Sequence, residues 1–147
     1  MINCITIDGE EGNMYKKVMI VDDEADILNS LKTIFKQQDF DVITVDNGLD
    51  CINEIEKGFK GVILMDIMMP GMDGWQTIRE IVNKGLIKNV AIGIITGKGT
   101  KDHQNIDRLR CYIYDYFSKP LNIKELIRSV EGCYIFLNEI ENDEILG

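Results

Sequence analysis

The sequence predicts an α/β fold: a doubly wound (βα)5 sandwich of five parallel strands and five helices. Three observations predict it. Short apolar runs alternate with longer amphipathic ones along the chain. The short runs are nearly continuous in Val, Ile, Leu and Met, as in strands covered on both faces, not alternating as in a half-exposed sheet. No internal repeat or low-complexity linker interrupts the alternation, so helices cross over on both sides of one sheet. With 147 residues, 45% hydrophobic and 28% charged, the chain suits one compact domain.

Residues 1–16 (MINCITIDGEEGNMYK) hold no sustained period and carry a Gly/Glu cluster, so they read as a poorly ordered extension, with Met14 as an alternative start. VMIV (18–21) is the first strand and stops at Asp22-Asp23-Glu24. Residues 25–38 place Ile27, Leu28, Leu31, Ile34 and Phe35 on one helical face. DVITV (41–45) is rich in β-branched residues, and 49–58 is a short helix stopped by Gly58. GVILM (61–65) is the third strand and 73–84 the next helix. VAIGII (90–95) is the fourth strand, 100–110 a weak helix anchored by Ile106 and Leu109, and YIYDYF (112–117) the fifth strand. The last helix is read at 122–141, which closes a domain over 17–141 and leaves 142–147 as an acidic C-terminal tail. These lengths leave no room within the chain for a DNA-binding or catalytic output module.

Charge narrows the function classes. The formal net charge is −9, which disfavours non-specific contact with nucleic acid or anionic membrane. Residues 17–121 hold 16 acidic and 13 basic side chains, so much of the excess lies towards the two ends. Cys4, Cys51, Cys111 and Cys133 have no metal-type spacing and read as thiols in a reducing compartment. His103 is the single histidine, which excludes a histidine metal site and a catalytic triad. No run approaches 18 apolar residues and the N-terminus lacks a signal pattern, so a cytoplasmic protein without membrane insertion is expected.

In an open parallel sheet, ligands bind beyond the carboxyl ends of the strands. Asp22 and Asp23 follow the first strand, Asp66 ends the third, Thr96 follows the fourth and Lys119 the fifth. Three carboxylates on one edge cannot all ionise cheaply without a compensating cation. Oxygen donors in a small open site suit Mg²⁺. A cation, an ammonium and a hydroxyl around one strand-end carboxylate make a phosphoryl-transfer site with Asp66 as nucleophile. Each residue alone has a plainer reading: the acidic triplet as a helix cap, Asp66 as a turn opener, Thr96 as an ordinary strand-end residue. Their co-occurrence at successive strand ends overrides those readings.

IVDDE, LMDIMMPGMDG, IIT and YFSKP, in this order and each at a strand end, resemble the blocks of the receiver domain of two-component response regulators over roughly residues 17–130. The resemblance implies a flavodoxin-like sheet in the order 2-1-3-4-5 and a stand-alone, chemotaxis-regulator-like switch. It implies that Asp66 takes phosphate from a histidine kinase and that Mg²⁺ is held by Asp23, by Asp22 mostly through water, by Asp66 and by the Met68 carbonyl. Thr96 is then the switch hydroxyl, Tyr116 the aromatic that turns inward, and Lys119 the phosphoryl contact, with a cis bond to Pro120. Signalling would pass through the face of the fourth helix, fifth strand and last helix to an unidentified protein target. Met68 and Lys98 would flank the hydrolytic water and tune the phosphoryl lifetime.

The match departs from the family in Gly97, where alanine is common, and in RCYIYDY, which lacks an Ala-Gly-Ala-like turn. Ile123, Leu126, Val130, Cys133, Leu137 and Ile140 follow an a/d seam, read as packing on the sheet, with a homodimer as the alternative. Two other functions compete. One is a haloacid-dehalogenase-like phosphohydrolase, which needs an acid two residues after the nucleophile, where Met68 stands. The other is a phosphate-independent adaptor. Met68 argues against the first and the retention of all five site groups against the second, so a phosphoacceptor signalling protein, not an enzyme acting on external substrates, is expected.

Overall fold

Five segments rich in β-branched and long apolar side chains form one parallel sheet in the computed structural model, which describes residues 16–97 and 108–146. The strands are β1 (Lys17–Val21), β2 (Asp41–Val45), β3 (Gly61–Asp66), β4 (Val90–Thr96) and β5 (Ile113–Ser118). Their order is β2-β1-β3-β4-β5, as the resemblance implies. Helices α1 (Ala25–Gln37), α2 (Gly48–Glu56) and α3 (Gly74–Asn83) and a C-terminal helix (Ile123–Leu146) supply the two outer layers.

Period-two alternation in β1 and β3 feeds two cores. Met19, Val21, Ile63 and Met65 pack with Cys51, Ile52 and Ile55 of α2 and Ile78 and Ile81 of α3. Val18, Ile20, Val62 and Leu64 point the other way, onto Leu31 and Phe35 of α1 and Leu126, Val130 and Tyr134 of the C-terminal helix. All four residues 18–21 are fully buried, which is why this strand reads as an unbroken apolar run.

Register brings the strand ends level. Val21 pairs with both Val45 and Met65, Asp66 with Ile95, and Thr96 with Ser118. The β4–β5 ladder shifts between Ile92 and Gly93, passing over Tyr114, so that Lys119 follows directly on the last pair. The Lys119 amide donates to the Thr96 carbonyl at 2.9 Å and so ties the two strand ends together.

Several boundaries differ from the sequence expectation. β3 runs one residue further, so Asp66 is its last residue. Tyr112 closes a 3-10 turn (Arg110–Tyr112) instead of opening β5. The helix expected at 100–110 lies largely outside the described residues; of it, 108–109 carry helical backbone. The extension read at 1–16 is outside the described residues except Lys16, which belongs to the fold. Its ammonium donates to the Gln38 carbonyl at 3.0 Å, lies over the Phe40 ring and pairs with Glu131 at 3.7 Å. The last helix does not stop at 141: helical backbone continues to Leu146 through the segment read as an acidic tail.

The C-terminal helix also corrects the a/d seam. Leu126 and Val130 are buried, but the next fully packed position is Tyr134, with Cys133 and Leu137 half-buried beside it. A 3.6-residue helical period carries the contact stripe from Cys133 to Tyr134, whose hydroxyl accepts from the Lys17 amide. The seam positions described are thus spent on the sheet, as the packing reading expects, while Ile135 and Phe136 face solvent.

Candidate functional site

The site begins where β1 and β3 run out of apolar residues. Asp22 is fully buried and Asp66 nearly so, at 3% exposure, whereas Asp23 sits at the rim. One oxygen from each of these three carboxylates lies within 4.8 Å of the other two. Asp22 is held from both sides: Oδ1 accepts from the Glu24 amide at 2.9 Å and Oδ2 faces the Lys119 ammonium at 3.4 Å. Asp66 Oδ1 accepts a longer bond, 3.3 Å, from the Met68 amide.

The loop after Asp66 is fixed by backbone packing. Gly71 adopts a φ of +77°, in the region glycine favours. Gly74 opens α3 so close to the strand end that a Cβ there would lie 2.5 Å from the Asp66 carbonyl oxygen. Asp73 and Gln76 form a capping box, each side chain bonding the other's backbone amide at 2.8–2.9 Å. Trp75, which follows Gly74, is buried in one core cluster with Ile67 and Met69 of this loop and so stands close enough to report on it.

Charge in the cluster is only partly balanced. Burial, then the Asp22 charge, push the Asp66 carboxyl up to about 6, against the pull of Lys119. Burial also raises Asp22, opposed by the Glu24 amide and Lys119. Burial acts against the Lys119 ammonium too, but Asp66, Asp22 and Glu24 outweigh it and raise that group. An all-oxygen donor set with surplus negative charge and one ligand at the rim fits a hard divalent cation.

Asp22, Asp23, Asp66 and Lys119 are therefore brought together as expected, and the Lys119–Pro120 bond is cis. Thr96 ends β4 beside them, its hydroxyl donating to the Gly97 carbonyl at 3.1 Å. Tyr116 stands apart on the outer side of β5, 40% exposed. Met68 exposes 61% of its surface at the site's edge. Lys98 lies outside the described residues. Glu24 was missed as a site residue: it reads as the N-cap of α1 and occupies that position, yet its side chain makes no cap bond. It reaches Lys119 instead, at 3.5 Å.

The family model for the response regulator receiver domain matches residues 18–131 of this chain. The chain belongs to that family. Over 138 residues this receiver domain is 32% identical to the transcriptional regulatory protein CpxR homolog of Haemophilus influenzae, covering 89% of the chain and 57% of that relative. It is 30% identical over 119 residues to protein PilG of Pseudomonas aeruginosa, covering 79% of the chain and 85% of PilG. The chain thus spans a little over half the length of the CpxR homolog and most of PilG. A CheY-like response regulator receiver domain protein from Methanospirillum hungatei JF-1 shares the fold at a TM-score of 0.78 and 41% identity, over 84% of this chain and 97% of that one.

Receiver domains of this family bind Mg²⁺ at an acidic aspartate cluster, and Asp22, Asp23 and Asp66 form such a cluster in this receiver domain. Among the described residues of this receiver domain, no helix is long and apolar enough to cross a membrane.

Proposed function

We propose that Asp66 accepts a phosphoryl group from the phosphohistidine of a histidine kinase and that the acyl phosphate switches a protein-contact face. The observation that carries this reading is the packing of three carboxylates within 4.8 Å of one another, with the Lys119 ammonium against them. Lys119 contacts Asp66 through Oδ1, the oxygen that the Met68 amide also holds, which among the described residues leaves Oδ2 for attack. That oxygen attacks phosphorus, the N–P bond of the donor breaks, and the imidazole leaves with the bonding electrons. Asp23, Asp66, the Met68 carbonyl and, through water, Asp22 would hold Mg²⁺, which offsets charge on the carboxylates and the phosphoryl oxygens. Lys119 follows the phosphoryl group, and the Thr96 hydroxyl leaves the Gly97 carbonyl for a phosphoryl oxygen. Tyr116, exposed beforehand, takes the space Thr96 vacates, which changes the surface of β5 and the C-terminal helix.

The test is Mg²⁺-dependent labelling by acetyl phosphate. A stable, base-labile acyl phosphate is expected. Steady phosphate release would indicate a phosphohydrolase instead, and no label a phosphate-independent adaptor.

Mg²⁺ titration followed by Trp75 emission should give at least about tenfold weaker binding in Asp23→Asn, which removes a donor and a charge. Equal affinities would remove Asp23 from the ligand set.

The lifetime of the acyl phosphate follows from Met68 and Lys98. Methionine has no group to orient water, and a protonated lysine is a poor base. The Met68→Asn, Lys98→Glu double variant is expected to lose phosphate several-fold faster than wild type. Unchanged decay would mean that these positions do not set the lifetime.

A further inference from the structure

The reach of Glu24 to Lys119 is not needed to build α1. The three acids after β1 invite a helix-cap reading, and aspartate caps helices well. Glu24 occupies the N-cap with extended backbone angles (φ −93°, ψ 115°), but its carboxylate does not accept from the first turn. It is aimed elsewhere by two constraints. The buried Asp22 grips its backbone amide at 2.9 Å, and the extra methylene of glutamate carries Oε1 to 3.5 Å from Lys119 Nζ. The ammonium then lies 3.4 Å from Asp22, 3.5 Å from Glu24 and 3.9 Å from Asp66. Its longest contact is to the phosphoacceptor.

These three partners are not equivalent. Asp22 and Asp66 are shut away from water, whereas the Glu24 side chain is 61% exposed. Glu24 alone can give up the ammonium and regain hydration at little cost. We propose that Glu24 is a positioning residue that holds Lys119 towards the rim of the site and releases it when a phosphoryl group forms on Asp66. This inference rests on Asp66 being the phosphoacceptor and adds the exchange partner that Lys119 leaves. Glu24 thereby opposes the phosphorylated state: the Lys119–Glu24 pair must break before the Lys119–phosphoryl contact forms.

Binding of beryllium fluoride, a tetrahedral phosphoryl mimic, tests this at saturating Mg²⁺ with Trp75 emission as readout. Wild type, Glu24→Gln and Glu24→Asp are compared. Glu24→Gln should bind the mimic about two- to fivefold more tightly, the range expected for loss of one exposed ion pair. Glu24→Asp keeps the charge, but its shorter carboxylate is drawn to the amides of the first turn of α1 and away from Lys119. It should therefore bind as Glu24→Gln does. If Glu24→Asp behaves as wild type while Glu24→Gln tightens, charge at a distance explains the effect and the positioning role is overturned. Equal affinity in all three also overturns it, while leaving the phosphoacceptor reading intact. Failure of wild type to bind the mimic at all would remove both.

Discussion

Asp66→Asn is expected to abolish acetyl-phosphate labelling completely while the protein remains folded. The substitution replaces a carboxylate oxygen with an amide nitrogen at nearly constant shape, so packing around Ile67 and Gly74 is kept while the proposed nucleophile is lost. Neither of the two aspartates beside it is placed to take over. Asp22 is fully buried, with one oxygen on the Glu24 amide and the other on Lys119. Asp23 sits at the rim, outside the reach that Lys119 gives to Asp66, Asp22 and Glu24 among the described residues. Mass spectrometry of labelled protein, with circular dichroism to verify the fold, measures this. Label retained on folded Asp66→Asn protein would assign the phosphoryl group to another side chain.

The same substitution is expected to stabilise the metal-free protein at neutral pH by about 2–3 kcal/mol. The Asp66 carboxyl rises from 3.8 to about 6 on folding, because it is buried and faces Asp22. Below pH 3.8 it is protonated in both folded and unfolded chains and costs nothing. Between 3.8 and about 6 the folded protein holds a proton that the unfolded chain has released, so stability falls as pH rises. Above about 6 both forms are ionised and the full cost stands. Wild-type melting temperature in EDTA should therefore decline across this window, and that of Asp66→Asn should decline less. Added Mg²⁺ should recover stability in wild type, by mass action on the folded state. Parallel pH profiles for the two proteins would contradict a strained carboxyl at this position.

Much of this molecule is legible in its sequence because burial writes directly onto composition. The unbroken run Val18–Val21 and the run ending at Asp66 exist because both faces of β1 and β3 are covered, and a charged residue interrupts them only where the sheet edge is reached. Strand ends therefore mark the site, and Asp22, Asp23, Asp66, Thr96 and Lys119 can be gathered from the sequence. What the tertiary structure decided concerns side chains that have more than one destination. Glu24 has cap geometry in sequence, yet Asp22 and Lys119, one of them 95 positions away, draw it into the cluster. Cys133 and Tyr134 fit an apolar stripe almost equally well, and Tyr134 takes the buried place because its ring stacks on Phe40 and its hydroxyl finds the Lys17 amide. The register shift past Tyr114, which sets where Lys119 enters the site, leaves no local signal at all. Local pattern determines where a chain must be apolar, whereas the choice among competing polar partners belongs to contacts that exist only after the strands have come together.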